Sequence, residues 1–215
     1  MQYQDISISI FIVLSIYLGF LTCYLILKAT RTTDERKYYF LSIAIFSALY
    51  LLCRILLIYN SIAEEAAYNS IYILGSFFAV LGVAGLMLAV EKYVYQKLKF
   101  FPTILVIIFS ALILLYPQAE GILLWPPYEG TNLVTYWVAF GTISAIIIPL
   151  LYLKVAANSH GIVRKNSIYI AFGILIFLVG NAMNTKLITD LVPLLLIFAP
   201  ITMLFGLLLF NFGLR

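Results

Sequence analysis

The sequence predicts an all-α polytopic membrane protein. It reads as a single domain over residues 1–215, a bundle of seven transmembrane helices with the N-terminus outside and the C-terminus cytoplasmic. Three observations predict it. The first is composition: of 215 residues, 64% are hydrophobic and only 10% are charged, where an ordinary soluble domain carries about 25% charged residues. Nine acids and thirteen bases cannot cover the surface of a soluble body of this size. A soluble or disordered chain is therefore excluded, and a nucleic-acid binder too, despite a pI near 9.0 and with a mean hydropathy of +1.09. The second observation is a set of seven apolar runs, most of them near the roughly 20 residues a helix needs to cross about 30 Å of hydrocarbon. The third is that the charge between the runs alternates in sign.

The first run, 6–27, follows a segment with no basic residue and no small-residue cleavage site, so it is expected to be retained rather than cleaved. The second, 38–59, contains the one charge inside a run, Arg54. The third, 68–90, carries Gly75, Ala79, Gly85 and Ala89, small residues at spacings that permit close helix approach, and is expected to be central. The fourth, 102–116, is short and is expected either to finish through 121–125 or to tilt little and leave its end in the headgroups. The fifth, 133–153, and the seventh, 191–212, contain Pro149, Pro193 and Pro200, which free carbonyls and kink helices. The sixth is 167–185. All seven are continuously apolar rather than alternating, which argues against a barrel.

Charge sets the expected orientation. Eleven of the thirteen bases fall in the first, third and fifth connections and the C-terminus: Lys28, Arg31, Arg36, Lys37, Lys92, Lys97, Lys99, Lys154, Arg164, Lys165 and Arg215. The opposite connections hold Lys186 with Asp5, Glu64, Glu65, Glu120, Glu129 and Asp190. The positive-inside rule places the first group in the cytoplasm, where it also meets anionic lipid. A multi-pass protein of the cell membrane is expected.

Catalytic and metal chemistry find little footing. Cys23 and Cys53 sit at different depths, too far apart for a disulfide, and are expected to be free, buried thiols. His160 is the only histidine, so a metal, haem or iron–sulfur centre is not expected. No catalytic motif and no carboxylate or histidine lies within a run. The last run has no lysine for a retinal Schiff base. No enzyme activity and no cofactor are expected.

Arg54 either snorkels to the outer headgroups, or pairs with Glu64, Glu65 or Asp190, or faces a cavity that receives an anionic ligand. Ser47, Tyr50 and Arg54 share one face of the second run. Tyr72 and Ser76 of the third run, Thr135 and Tyr136 of the fifth, and Asn181 and Asn184 of the sixth lie at the same outer depth. Such groups must meet each other, water or a ligand. The candidate ligand site is Arg54, Tyr50, Ser47, Tyr72, Ser76, Tyr136, Asn181 and Asn184, with Trp125 and Tyr128 either closing it or anchoring the interface. At the inner end, Glu91 opposes the helix dipole and is expected to pair with Arg36, Lys37 or Lys165.

Lys28 with Arg36 and Lys37 resembles Lys154 with Arg164 and Lys165, and residues 85–88 resemble 206–209. This suggests parallel three-helix repeats around a fourth helix, a layout known in one class of transporters. The basic first connection running into 38–45, the ending 88–95 and the closing 199–213 stretch are similar to the seven-helix sensor regions of some prokaryotic histidine kinases. They resemble more closely the stand-alone seven-helix membrane proteins of archaea. The resemblance implies a receptor-like or sensor-like bundle that binds a small or lipid-like ligand in its outer half. No output domain is expected beyond Arg215, and a signal is expected to pass to a separate partner at the cytoplasmic face. The alternatives are a small-solute transporter and a non-catalytic subunit of a membrane complex.

Overall fold

The computed structural model describes residues 2–60, 65–115, 145–184 and 192–215. Among them are seven α-helices: α1 (Gln2–Arg31), α2 (Arg36–Asn60), α3 (Glu65–Tyr93), α4 (Phe101–Leu115), α5 (Ile147–Ala157), α6 (Gly161–Met183) and α7 (Leu195–Gly213). A short 3-10 turn, Gln96–Leu98, joins α3 to α4. Five of the seven, α1, α2, α3, α6 and α7, are long and apolar enough to cross a membrane. They mark the chain as a multi-pass membrane protein. The helices overrun the apolar runs: α6 begins at Gly161 rather than 167, because Arg164 and Lys165 are good helix formers once clear of hydrocarbon.

The helices form a ring. α1 packs on α2, α2 on α3, α3 on α5, α5 on α6, α6 on α7 and α7 back on α1, while α4 lies outside against α3. Contacts fix the directions. Three hydrogen bonds join α1 to α7 in ascending order. Ser7 Oγ donates to the Leu196 carbonyl at 2.8 Å, Asn211 Nδ2 to the Tyr17 hydroxyl at 3.2 Å, and Lys28 Nζ to the Leu214 carbonyl at 2.5 Å. α1 and α7 therefore run parallel. Gly75, Gly82 and Gly85 of α3 face Leu57, Phe46 and Ser42 of α2 in descending order, so those helices are antiparallel. The connections bearing the bases consequently gather at one end, where Lys92 lies over the rings of Tyr38 and Tyr93, and Lys154 over Tyr95.

The pairings within α1–α3 recur within α5–α7. Gly85 of α3 sits against the Ser42 carbonyl and the Phe46 amide of α2; Gly206 of α7 sits against the Gly173 carbonyl and the Phe177 amide of α6. Phe46 and Phe177 meet edge to face across the ring, centroids 5.9 Å apart. The equivalent helices α2 and α6 thus face each other at the centre of the bundle.

The tightest seam is α6 on α7. A Cβ added at Gly173 would lie 2.4 Å from the Phe210 amide, at Gly206 2.5 Å from the Phe177 amide, at Gly180 2.8 Å from the Met203 amide, and at Gly213 2.7 Å from the Asn166 carbonyl. Small residues let backbones approach this closely. α3 has the largest buried share of the five long helices, 56%, but the closest approach belongs to α7.

Two inner-face expectations are corrected. Glu91, 2% exposed, takes the Thr103 amide at 3.1 Å and the Thr103 hydroxyl at 2.6 Å, not a base. Its carboxylate satisfies orphan donors at the start of α4, where the helix dipole favours negative charge. Cys53 is buried as expected, but Cys23 is exposed on the outward face of α1; both are free.

Candidate functional site

Tyr50 and Arg54 stand one turn apart on α2, so their side chains reach the same neighbourhood. Asn181 lies in the last turn of α6, one turn beyond Phe177. Because Phe46 and Phe177 pack together, the next turn of each helix brings Tyr50 opposite Asn181. The Tyr50 hydroxyl donates to Asn181 Oδ1 at 2.8 Å. Arg54 Nη2 donates to the same Oδ1 at 2.8 Å and to the Tyr50 hydroxyl. The three groups close a triangle between α2 and α6.

Arg54 is 3% exposed. Its Cζ lies 5.0 Å from the centroid of Phe11 on α1 and 4.7 Å from that of Tyr50, within cation–π range. Its Nε–H is buried without a partner. The one ion pair among the described residues is Arg36 with Asp34, at the other end of α2. The Arg54 charge is thus held by neutral groups among the described residues. Glu64 and Asp190 lie outside the described residues, and so does the side chain of Glu65.

The other candidates make contacts of their own. Ser47 is fully buried but turns toward α1: the Thr22 hydroxyl donates to it at 2.9 Å, and it donates to the Ala44 carbonyl at 3.0 Å. Asn184 closes the end of α6, its amide reaching the Asn181 carbonyl at 3.2 Å. Tyr72 packs half-buried against the core, and Ser76 is buried on α3. Thr135, Tyr136, Trp125 and Tyr128 fall outside the described residues. Sequence reasoning missed Phe11, Phe46 and Phe177. The signal was an aromatic one turn before each polar residue of the triangle, Phe46 before Tyr50 and Phe177 before Asn181.

Toward the basic end of the bundle the core beneath the triangle is filled among the described residues. Tyr50 and Phe177 lie 4.8 Å apart and Phe46 lies 5.8 Å from Tyr50. Below them is an apolar gap of about 10 Å³ bounded by Phe46, Leu86, Phe177, Leu207 and Phe210, roughly the size of one water. Nearer the basic end, the hydroxyls of Tyr39 on α2 and Tyr152 on α5 meet at 2.7 Å. The site is a cationic fork above an aromatic column. Among the described residues, no group of three or more His, Cys, Asp or Glu is placed to hold a metal.

The chain matches no protein-family model, and no significant match is found among curated proteins or solved structures.

Proposed function

We propose that this protein is a receptor-like membrane bundle that binds an anionic amphiphile at Arg54. The N-terminus faces outside, the site lies in the outer half, and occupancy passes along the aromatic column to a separate partner at the basic cytoplasmic face. One observation carries the reading: a guanidinium 3% exposed, with a free Nε–H and only neutral partners among the described residues. A buried charge in a membrane span costs several kcal/mol, about 2.5–3.5 on insertion scales, and marks a functional site by default. An oxyanion supplies what Tyr50 and Asn181 cannot, a full counter-charge. The filled core below argues for transmission by repacking over passage of a solute. The repeated pairings of α1–α3 and α5–α7 favour the second reading, a transporter; uptake of probe into proteoliposomes faster than into protein-free vesicles would count for it.

The test is the thermal midpoint of the protein in zwitterionic nanodiscs, titrated with laurate, dodecyl phosphate and the neutral dodecyl maltoside. An acidic probe is expected to raise the midpoint with a saturable dose dependence. Arg54→Leu is expected to fold and to lose that response. An equal response in both proteins removes Arg54 from the site.

A further inference from the structure

The geometry of the triangle points to Asn181 as the residue that selects the ligand, and we infer that its Oδ1 holds the place an oxyanion oxygen takes. The inference rests on the reading of Arg54 as an anion site. A guanidinium has five N–H donors in a fixed planar fork. An oxyanion with two oxygens, a carboxylate or a phosphate monoester, takes two parallel N–H bonds from such a fork. The side of the Arg54 fork that carries Nε–H pairs it with one N–H of Nη2. Nε–H is free and buried. Both N–H bonds of Nη2 are committed, one to the Tyr50 hydroxyl and one to Asn181 Oδ1 at 2.8 Å. A two-oxygen head therefore cannot engage this side of the fork while both neutral partners stay.

Asn181 is the partner that yields. Tyr50 is fixed to Arg54 by a shared helix and by ring contact, and its ring is braced by Phe46 and Phe177. Asn181 sits two residues before the end of α6 and reaches the fork from the opposite helix. The ligand takes Nε–H with one oxygen and the vacated Nη2–H with the other; the Tyr50 hydroxyl, released from Asn181, donates to the ligand as well. The exchange removes the polar tie between α2 and α6 at this depth. A single-oxygen head fills the free Nε–H and leaves Asn181 in place, and a neutral head brings no counter-charge, so only a two-oxygen oxyanion gains by displacing Asn181. That comparison is the basis of selection.

The experiment uses the same nanodiscs and the same probes, laurate and dodecyl phosphate. In Asn181→Ala the competitor is gone, and the acidic probe is expected to bind about tenfold tighter than in the unmodified protein. In Asn181→Asp an internal carboxylate occupies the fork; the midpoint without probe is expected to rise and the response to probe to vanish. Whichever of the two probes responds identifies the head as carboxylate or phosphate. Should the unmodified protein respond through Arg54 while both Asn181 variants bind with unchanged affinity, Asn181 is packing only and this inference falls, leaving the anion site standing. Should no acidic probe respond through Arg54, the site and the inference fall together.

Discussion

Helix α7 has two long neighbours and meets them by opposite means. Against α6 it places Gly206 and Gly213, and α6 answers with Gly173 and Gly180, so backbone lies on backbone along an antiparallel seam. Against α1 it runs parallel and reaches across with side chains at the start, middle and end: Ser7 to Leu196, Asn211 to Tyr17, Lys28 to Leu214. The two polar ties at the ends have identifiable causes. Pro200 has no amide hydrogen, so the carbonyl four residues back, Leu196, loses its helical partner; Ser7 supplies the donor, as an apolar medium demands. Lys28 caps a carbonyl at the end of α7, where the dipole favours a cation. The glycine seam tolerates no added atom. The polar seam is a set of replaceable bonds. A bundle that must change shape has more freedom at the second kind of contact.

The largest effect is expected from Gly206→Ala. Alanine gains about 1 kcal/mol of helix propensity, but its Cβ falls 2.5 Å and 2.7 Å from backbone atoms of α6. Overpacking against backbone wins, and a net loss of about 2–3 kcal/mol is expected, read as a lower thermal midpoint and less monodisperse protein. Gly19→Ala is the control, with only the Leu51 Cδ2 at 3.9 Å; its midpoint is expected to hold or rise. A tolerated Gly206→Ala would erase the distinction between the seams.

A smaller effect is expected at the polar seam. Ser7→Ala leaves the Leu196 carbonyl unpaired and is expected to cost about 1 kcal/mol. Pro200→Ala restores the amide at position 200, and in that background the Ser7→Ala cost is expected to shrink toward zero. A double-mutant cycle reads the coupling directly. Additive losses would show that Ser7 does not serve the proline.

The smallest effect concerns the exposed turn between α1 and α2. Arg36 lies 2.7 Å from Asp34, with side chains 78% and 48% exposed. Its side-chain hydrogen bond holds the Asp34 carboxyl below the ordinary carboxylate range. A lowered folded-state value stabilises above the unfolded value and is lost as pH falls through the lowered one. Exposed pairs are worth little and salt screens them. Asp34→Asn is expected to flatten this acid limb in low salt by lowering the neutral-pH midpoint slightly, toward its value in acid.

The spans were legible because hydrocarbon demands unbroken apolar runs, but the runs mark the membrane rather than the helix. Hence α1 continues past 27 to Arg31 and α6 starts at Gly161. Arg54, Tyr50 and Asn181 were legible as polar groups at one depth. Depth says nothing of azimuth, so Ser47 turned out to face α1 and Asn184 to end a helix. The close approach of α3 was legible in its small residues four apart, but the tighter α6–α7 seam was not, since Gly173 with Gly180, and Gly206 with Gly213, repeat every seven. Glu91 was matched with bases by charge alone. The start of α4 offered amide and hydroxyl donors that no charge tally includes.

The like sense of the two three-helix units has an arithmetical consequence. Three antiparallel helices leave a chain at the far end of the bundle from where it began. A second copy spliced straight onto the first would be threaded upside down, and Phe177 could not come abreast of Phe46 with Asn181 beside Tyr50. Between α3 and α5 the chain must return to the end of the bundle where α1 began, and α4, lodged outside the ring, lies in the stretch of chain that makes that return. What looks like the odd helix out is the condition for the twin halves to meet face to face.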